Sequence, residues 1–152
     1  MALKEQIQND LKAAMLSGDR FVSDVLRNLK ASILNEEVAT SKRDEGLDDT
    51  EVEKVLIREV KKRVEAAKLY RDNNRPELAE PEEQEAEVLK RYLPEQLDDD
   101  AIREVVRAKI AQLGVSGPQT MGQVIGAVKQ DVGSSADGAL IARIVKEELT
   151  QN

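Results

Sequence analysis

The chain has 152 residues, with 23 lysines and arginines against 30 aspartates and glutamates for a formal charge of −7, no histidine and no cysteine. That composition removes the disulfide framework, the thiol nucleophile, the imidazole base and the commonest zinc ligands together, so Ser-His-Asp and thiol-hydrolase templates are excluded. Both sides of Pro94 are acidic, 17 cations against 21 acids up to it and 6 against 9 beyond it, which argues against strong nonspecific nucleic-acid binding and restricts any RNA contact to a local one.

Hydrophobic residues make up 40% and charged residues 35%, with one phenylalanine, two tyrosines and no tryptophan, so the core must be aliphatic. Leu3, Ile7, Leu11, Ala14 and Met15 recur at helical spacing and predict a helix over about 2–17, stopped by Gly18. Val22, Val25, Leu26, Leu29 and Ile33 predict a second from about Asp19 to Val38. Asp48 followed by Glu51 has the form of a capping box, opening a third helix on Val52, Leu56, Val60 and Ala67 that runs to about Asp72. Pro76 suits the first turn of a fourth, in which Leu78, Val88, Leu89, Tyr92 and Leu93 supply apolar contacts while the acidic run PEEQEAE is read as solvated surface.

LPEQLDDD is the predicted boundary, because Pro94 disfavours helix at Leu93 and Asp98 can cap a new start. Ile102, Val105, Val106, Ile110 and Leu113 define the next helix, ended by Gly114; Pro118 to about Gln130 and Ser135 to Leu149 give two more. No segment shows strict alternation. The expected fold is therefore all-α, an N-terminal antiparallel domain of about four helices over 1–93 followed by a three-helix domain over 94–152. No run approaches the roughly 18–20 apolar residues of a membrane span and no signal peptide is visible, so the expectation is a soluble, cytoplasmic protein with no membrane partner.

Six of the eight glycines lie between Gly114 and Gly138. Gly122 and Gly126, spaced i,i+4 among Met121, Val124, Ile125 and Val128, are expected on one helix face, where the favoured reading is close packing against another helix and the second is close approach of a ligand. Met121, Gly122, Gly126, the triplet Ala136, Asp137, Gly138 and the closing IVKEEL resemble the C-terminal signature of the GatB/YqeY family, and RPELAEPEEQEAEVLKRYLPEQL resembles the same family's middle. The match runs nearly end to end and is similar to a free-standing YqeY-like protein.

In that family the same helical unit also forms the tail of the GatB subunit of aspartyl/glutamyl-tRNA amidotransferase, so the resemblance implies a tRNA-associated accessory protein connected with tRNA-dependent amidation. It also carries the description of a carbon–nitrogen ligase with glutamine as amido-N-donor. The large catalytic domain that performs that chemistry has no counterpart in this sequence. No Walker or G-x-G-x-x-G phosphate loop and no G-x-S-x-G elbow is present, so no catalytic residue and no cofactor is assigned and no activity is expected of the chain alone. Asp48-Asp49-Glu51 and Asp98-Asp99-Asp100 are read as helix caps rather than a metal site.

Candidate tRNA contacts are Lys129, Arg143 and Lys146 around the turn Ser134, Ser135, Asp137 and Gly138, whose following helix presents free N–H groups to a phosphate; Asp137 serves equally as a cap. A second stripe, Lys61, Lys62 and Lys68 with Arg58, is compatible with a phosphate backbone or with a salt-bridged surface. The competing readings are a protein-interaction module with no RNA, and a component active only with an amidotransferase or other catalytic partner. No DNA partner is expected.

Overall fold

The computed structural model describes residues 2–151 and contains, among them, seven α-helices and no strand. They are α1 (Leu3–Ser17), α2 (Arg20–Ala39), α3 (Asp49–Asp72), α4 (Pro76–Lys90), α5 (Asp99–Leu113), α6 (Met121–Val132) and α7 (Gly138–Thr150). Two compact units divide between Leu93 and Pro94, the first holding α1–α4 and the second α5–α7.

In the first unit α1 and α2 run antiparallel, as the pairing of Lys4 with Glu37 and of Gln8 with Lys30 requires. Gly18 takes the left-handed conformation, φ 76°, that ends α1, and the Asp19 side chain then caps α2 by accepting from the Val22 N–H. The Asp48–Glu51 capping box forms reciprocally at 2.9 and 3.0 Å. Asp49 accepts from the Leu3 N–H at 2.9 Å, so α3 supplies the cap that Ala2 cannot give α1. Ile7, Leu26, Leu29, Val52, Leu56 and Leu89 fill the core.

The helix pair α3–α4 corrects two expectations. Leu78 is exposed rather than packed, and the acidic run is only partly solvated: Glu83 meets Arg71 at 2.5 Å and Glu85 meets Arg63 at 3.2 Å. Arg63 also reaches the buried Glu59 at 2.9 Å. Burial is the largest single influence on Glu59 and opposes its ionisation, but the Arg63 hydrogen bond, the Lys62 charge and a Ser32 hydrogen bond together outweigh it and hold the carboxyl below its usual range. Between the two helices the small Ala67 and Ala79 are buried, so the outer part of the pair is joined by close backbone approach and arginine–glutamate pairs.

In the second unit, Asp98 caps α5 by accepting from the Ala101 N–H at 2.8 Å, and Gly114, φ 63°, ends it. Ile102, Val106, Val124, Val128, Ile141, Ile144 and Val145 form the core. Pro118–Thr120 is a 3-10 turn leading into α6, which continues to Val132. The last helix starts three residues later than expected, at Gly138, because Gly133–Ser135 coils as a separate 3-10 turn and Ala136 is extended, φ −148°, with its methyl group in the core. No helix among the described residues is long and apolar enough to cross a membrane.

Candidate nucleic-acid interface in the C-terminal unit

Helix α6 has two faces. Val124 and Val128, with the half-buried Met121 and Ile125, enter the core, while Gly122, Gln123, Gly126, Lys129 and Gln130 are exposed. A Cβ added at Gly122 or Gly126 would meet nothing within 4 Å beyond its own turn of helix, so among the described residues no side chain or neighbouring helix fills the space beside either glycine. The close-packing expectation is corrected: the apolar residues that flank the glycines in sequence point the other way around the helix, and what the glycines expose is bare backbone.

Gly133 follows on the same side with φ 52° and ψ −128°, a conformation that L side chains avoid, and turns the chain toward α7. The turn is pinned from the start of the unit: Gln96 Nε2 donates to the Ser134 carbonyl at 2.9 Å and the Leu97 N–H to the Ser135 carbonyl at 2.8 Å. Both serines are half-buried. Asp137 stands at the α7 N-cap position, where its main-chain carbonyl accepts from the Ile141 N–H and its side chain makes no capping bond. Lys129 reaches across to this point, its Nζ and Cε 3.4 Å from where a Cβ on Gly138 would sit. The lysine of the glycine face thus lies over the first residue of α7, where helix-terminal backbone N–H groups and the helix dipole favour an anion.

The other expected contacts divide. Arg143 is bonded to Asp99 at 2.9 Å and to Glu147 at 3.1 Å, and the Asp99 bond raises its pKa. Lys146, three residues on, is exposed. In α3, Lys62 pairs with Glu59 at 3.4 Å and Arg58 with Glu36 at 3.2 Å, while Lys61 and Lys68 are exposed on either side of the exposed Glu65. This stripe belongs to the first unit and its salt-bridged reading holds for Lys62 and Arg58.

Sequence reasoning missed the charge network between α5 and α7. Arg103 donates to Glu148 at 2.7 Å and to Glu147 at 2.8 Å, and Arg107 donates to Glu148 at 3.0 Å. Glu148 is buried, and the two arginines, Arg107 first, hold its carboxyl below the usual range; Arg103 does the same for Glu147. The available signal was register: Glu148 stands seven residues after Ile141 and four after Ile144, on the apolar stripe of α7.

A family model described as Yqey-like protein matches residues 4–149. The chain belongs to the YqeY-like protein family. Among its relatives, a protein of Clavispora lusitaniae named altered inheritance of mitochondria protein 41, mitochondrial, is 29% identical over 138 residues, covering 88% of this chain and 78% of that protein. Proteins of the same name from Lachancea thermotolerans and Meyerozyma guilliermondii are 31% and 33% identical over 87 residues, covering 57% of this chain and 46% and 44% of theirs.

Those names speak of mitochondrial inheritance and mention neither RNA nor a reaction. They overturn the expectation of a cytoplasmic protein, since YqeY-family relatives are named as mitochondrial. The absence of an apolar span and of a visible signal peptide, on which that expectation rested, does not select a compartment.

Proposed function

We propose that this YqeY-family chain is a tRNA-associated accessory protein whose C-terminal unit meets the sugar–phosphate backbone of folded transfer RNA. The observation that carries the reading is the face of α6, where Gly122 and Gly126 expose backbone and Lys129 lies over the N-terminus of α7, while the one carboxylate of α6, Asp131, is paired with Lys109. Such a face admits a phosphodiester strand closely and offers it one cation and helix-terminal N–H groups. Resemblance to the tail of the amidotransferase GatB subunit supports the choice of transfer RNA over other RNAs.

The geometry sets the strength. With Arg143 engaged by Asp99 and Glu147, and the unit carrying 6 cations against 9 acids, binding rests on about one phosphate neutralised by Lys129 and a log–log salt slope of about −0.7 to −0.9. The test is fluorescence anisotropy of labelled, deacylated transfer RNA with the full chain across a salt series, with duplex RNA as control. The expected result is saturable, salt-sensitive binding that prefers transfer RNA and weakens about tenfold or more in Lys129→Glu. Absence of binding at low salt would replace this reading with the protein-interaction module. Amidation belongs to a catalytic partner, so the purified chain given ATP, ammonia and Glu-tRNA is expected to form no Gln-tRNA.

A further inference from the structure

Helix α2 carries apolar residues on two sides. Val25, Leu26, Leu29 and Ile33 enter the core, whereas Ala31, Leu34 and Val38 continue a line from Arg27 at steps of four, three and four residues on the outer face. Leu34 is 45% exposed and Val38 58% exposed. The line runs into a cleft of about 530 Å³ at the α1–α2 turn, bordered by Met15, Arg20, Asp24 and Arg27, with Met15 53% exposed.

The charges along this line run against the net sign of the chain. Arg20 has no carboxylate partner among the described residues, and Arg27 holds Asp24 at 3.5 Å. At the far end, Glu36 and Glu37 are turned to Arg58 and Lys4. Two arginines against one aspartate therefore border an apolar stripe on a protein of formal charge −7.

We propose that this outer face of α1 and α2 receives an amphipathic helix of an acidic protein partner. Apolar side chains of that helix, spaced i, i+3, i+4 and i+7, lie against Met15, Leu34 and Val38, and its carboxylates meet Arg20 and Arg27. An RNA strand is the poorer occupant, because beyond Arg27 the stripe offers leucine and valine and no donor to a phosphate. The inference rests on the first unit and is independent of the RNA reading.

The test titrates the ¹⁵N-labelled full chain with a synthetic amphipathic helix of about five turns, leucines on one face and glutamates beside them, and with a counterpart carrying lysines instead. The expected result is saturable shift changes confined to Met15 through Val38 for the glutamate peptide and none for the lysine peptide. Leu34→Glu, and separately the pair Arg20→Glu and Arg27→Glu, weaken binding about tenfold or more, while Lys129→Glu leaves it unchanged. Leu34 and both arginines are exposed, so these variants keep the fold. Equal binding of both peptides, shift changes elsewhere, or indifference to Leu34→Glu overturns the proposal. So does a self-association, seen by sedimentation velocity, that Leu34→Glu abolishes, since the occupant is then a second copy.

Discussion

Glu148 is a buried carboxylate whose oxygens are bonded by two arginines from the neighbouring helix. Removing it strands Arg103 and Arg107 without a shared acceptor, so Glu148→Ala is expected to cost roughly 1.5–3 kcal/mol, read from urea unfolding with an unchanged slope. Glu148→Gln keeps one acceptor oxygen but loses the charge, and its stability is expected to fall between those of the unmodified chain and the alanine variant. On the glycine face of α6 the opposite sign is expected: Gly122→Ala and Gly126→Ala each add a Cβ into open space in a helix and raise stability by up to about 1 kcal/mol. A loss of stability in either alanine variant would mean that the face is covered.

At the scale of elements, the helix boundaries were legible wherever the signal is local. Gly18 and Gly114 stop α1 and α5 in the left-handed conformation, Asp48 with Glu51 opens α3, and Asp98 opens α5, each by a bond between residues near in sequence. Asp98→Ala is accordingly expected to cost about 1 kcal/mol, measured as a fall of a few degrees in Tm. What failed depended on partners distant in sequence. The 3-10 turn at Gly133–Ser135 is fixed by Gln96 and Leu97, nearly forty residues away, so spacing alone ran α7 back to Ser135. Helix spacing placed Gly122 and Gly126 on one face but could not say whether anything filled the space beside them. For the candidate site, Lys129 was legible as a cation near the turn; the commitment of Arg143 to Asp99, 44 residues earlier, was not.

At the scale of the whole molecule, the absence of histidine and cysteine leaves no side chain with an ordinary pKa between about 5 and 8. Stability should be flat across that range. Glu59, Glu147 and Glu148 have folded-state pKa values below their unfolded ones, so their stabilisation is present above the unfolded carboxylate value near 4.3 and is lost as pH falls through their folded values. Glu82 runs the other way: burial and Glu85 raise its pKa, so its protonation on acidification offsets part of that loss. At the alkaline end burial and the bond to Asp10 raise the pKa of Tyr92, whose stabilisation is present below about 10 and lost as pH rises through its folded value. Thermal melts from pH 3 to 11 should therefore trace a plateau with a fall on each side; a transition near pH 6.5 would contradict this assignment.

Whether the bare backbone of α6 receives transfer RNA, as proposed, is decided by measuring tRNA affinity and Tm together for Gly126→Leu in the full chain. A leucine there fills the approach from a position where an added Cβ would meet nothing within 4 Å among the described residues beyond its own turn of helix. The expected result is a Tm equal to or above that of the unmodified chain with an affinity at least about tenfold weaker; unchanged affinity in a folded Gly126→Leu protein would rule out this face as the tRNA surface.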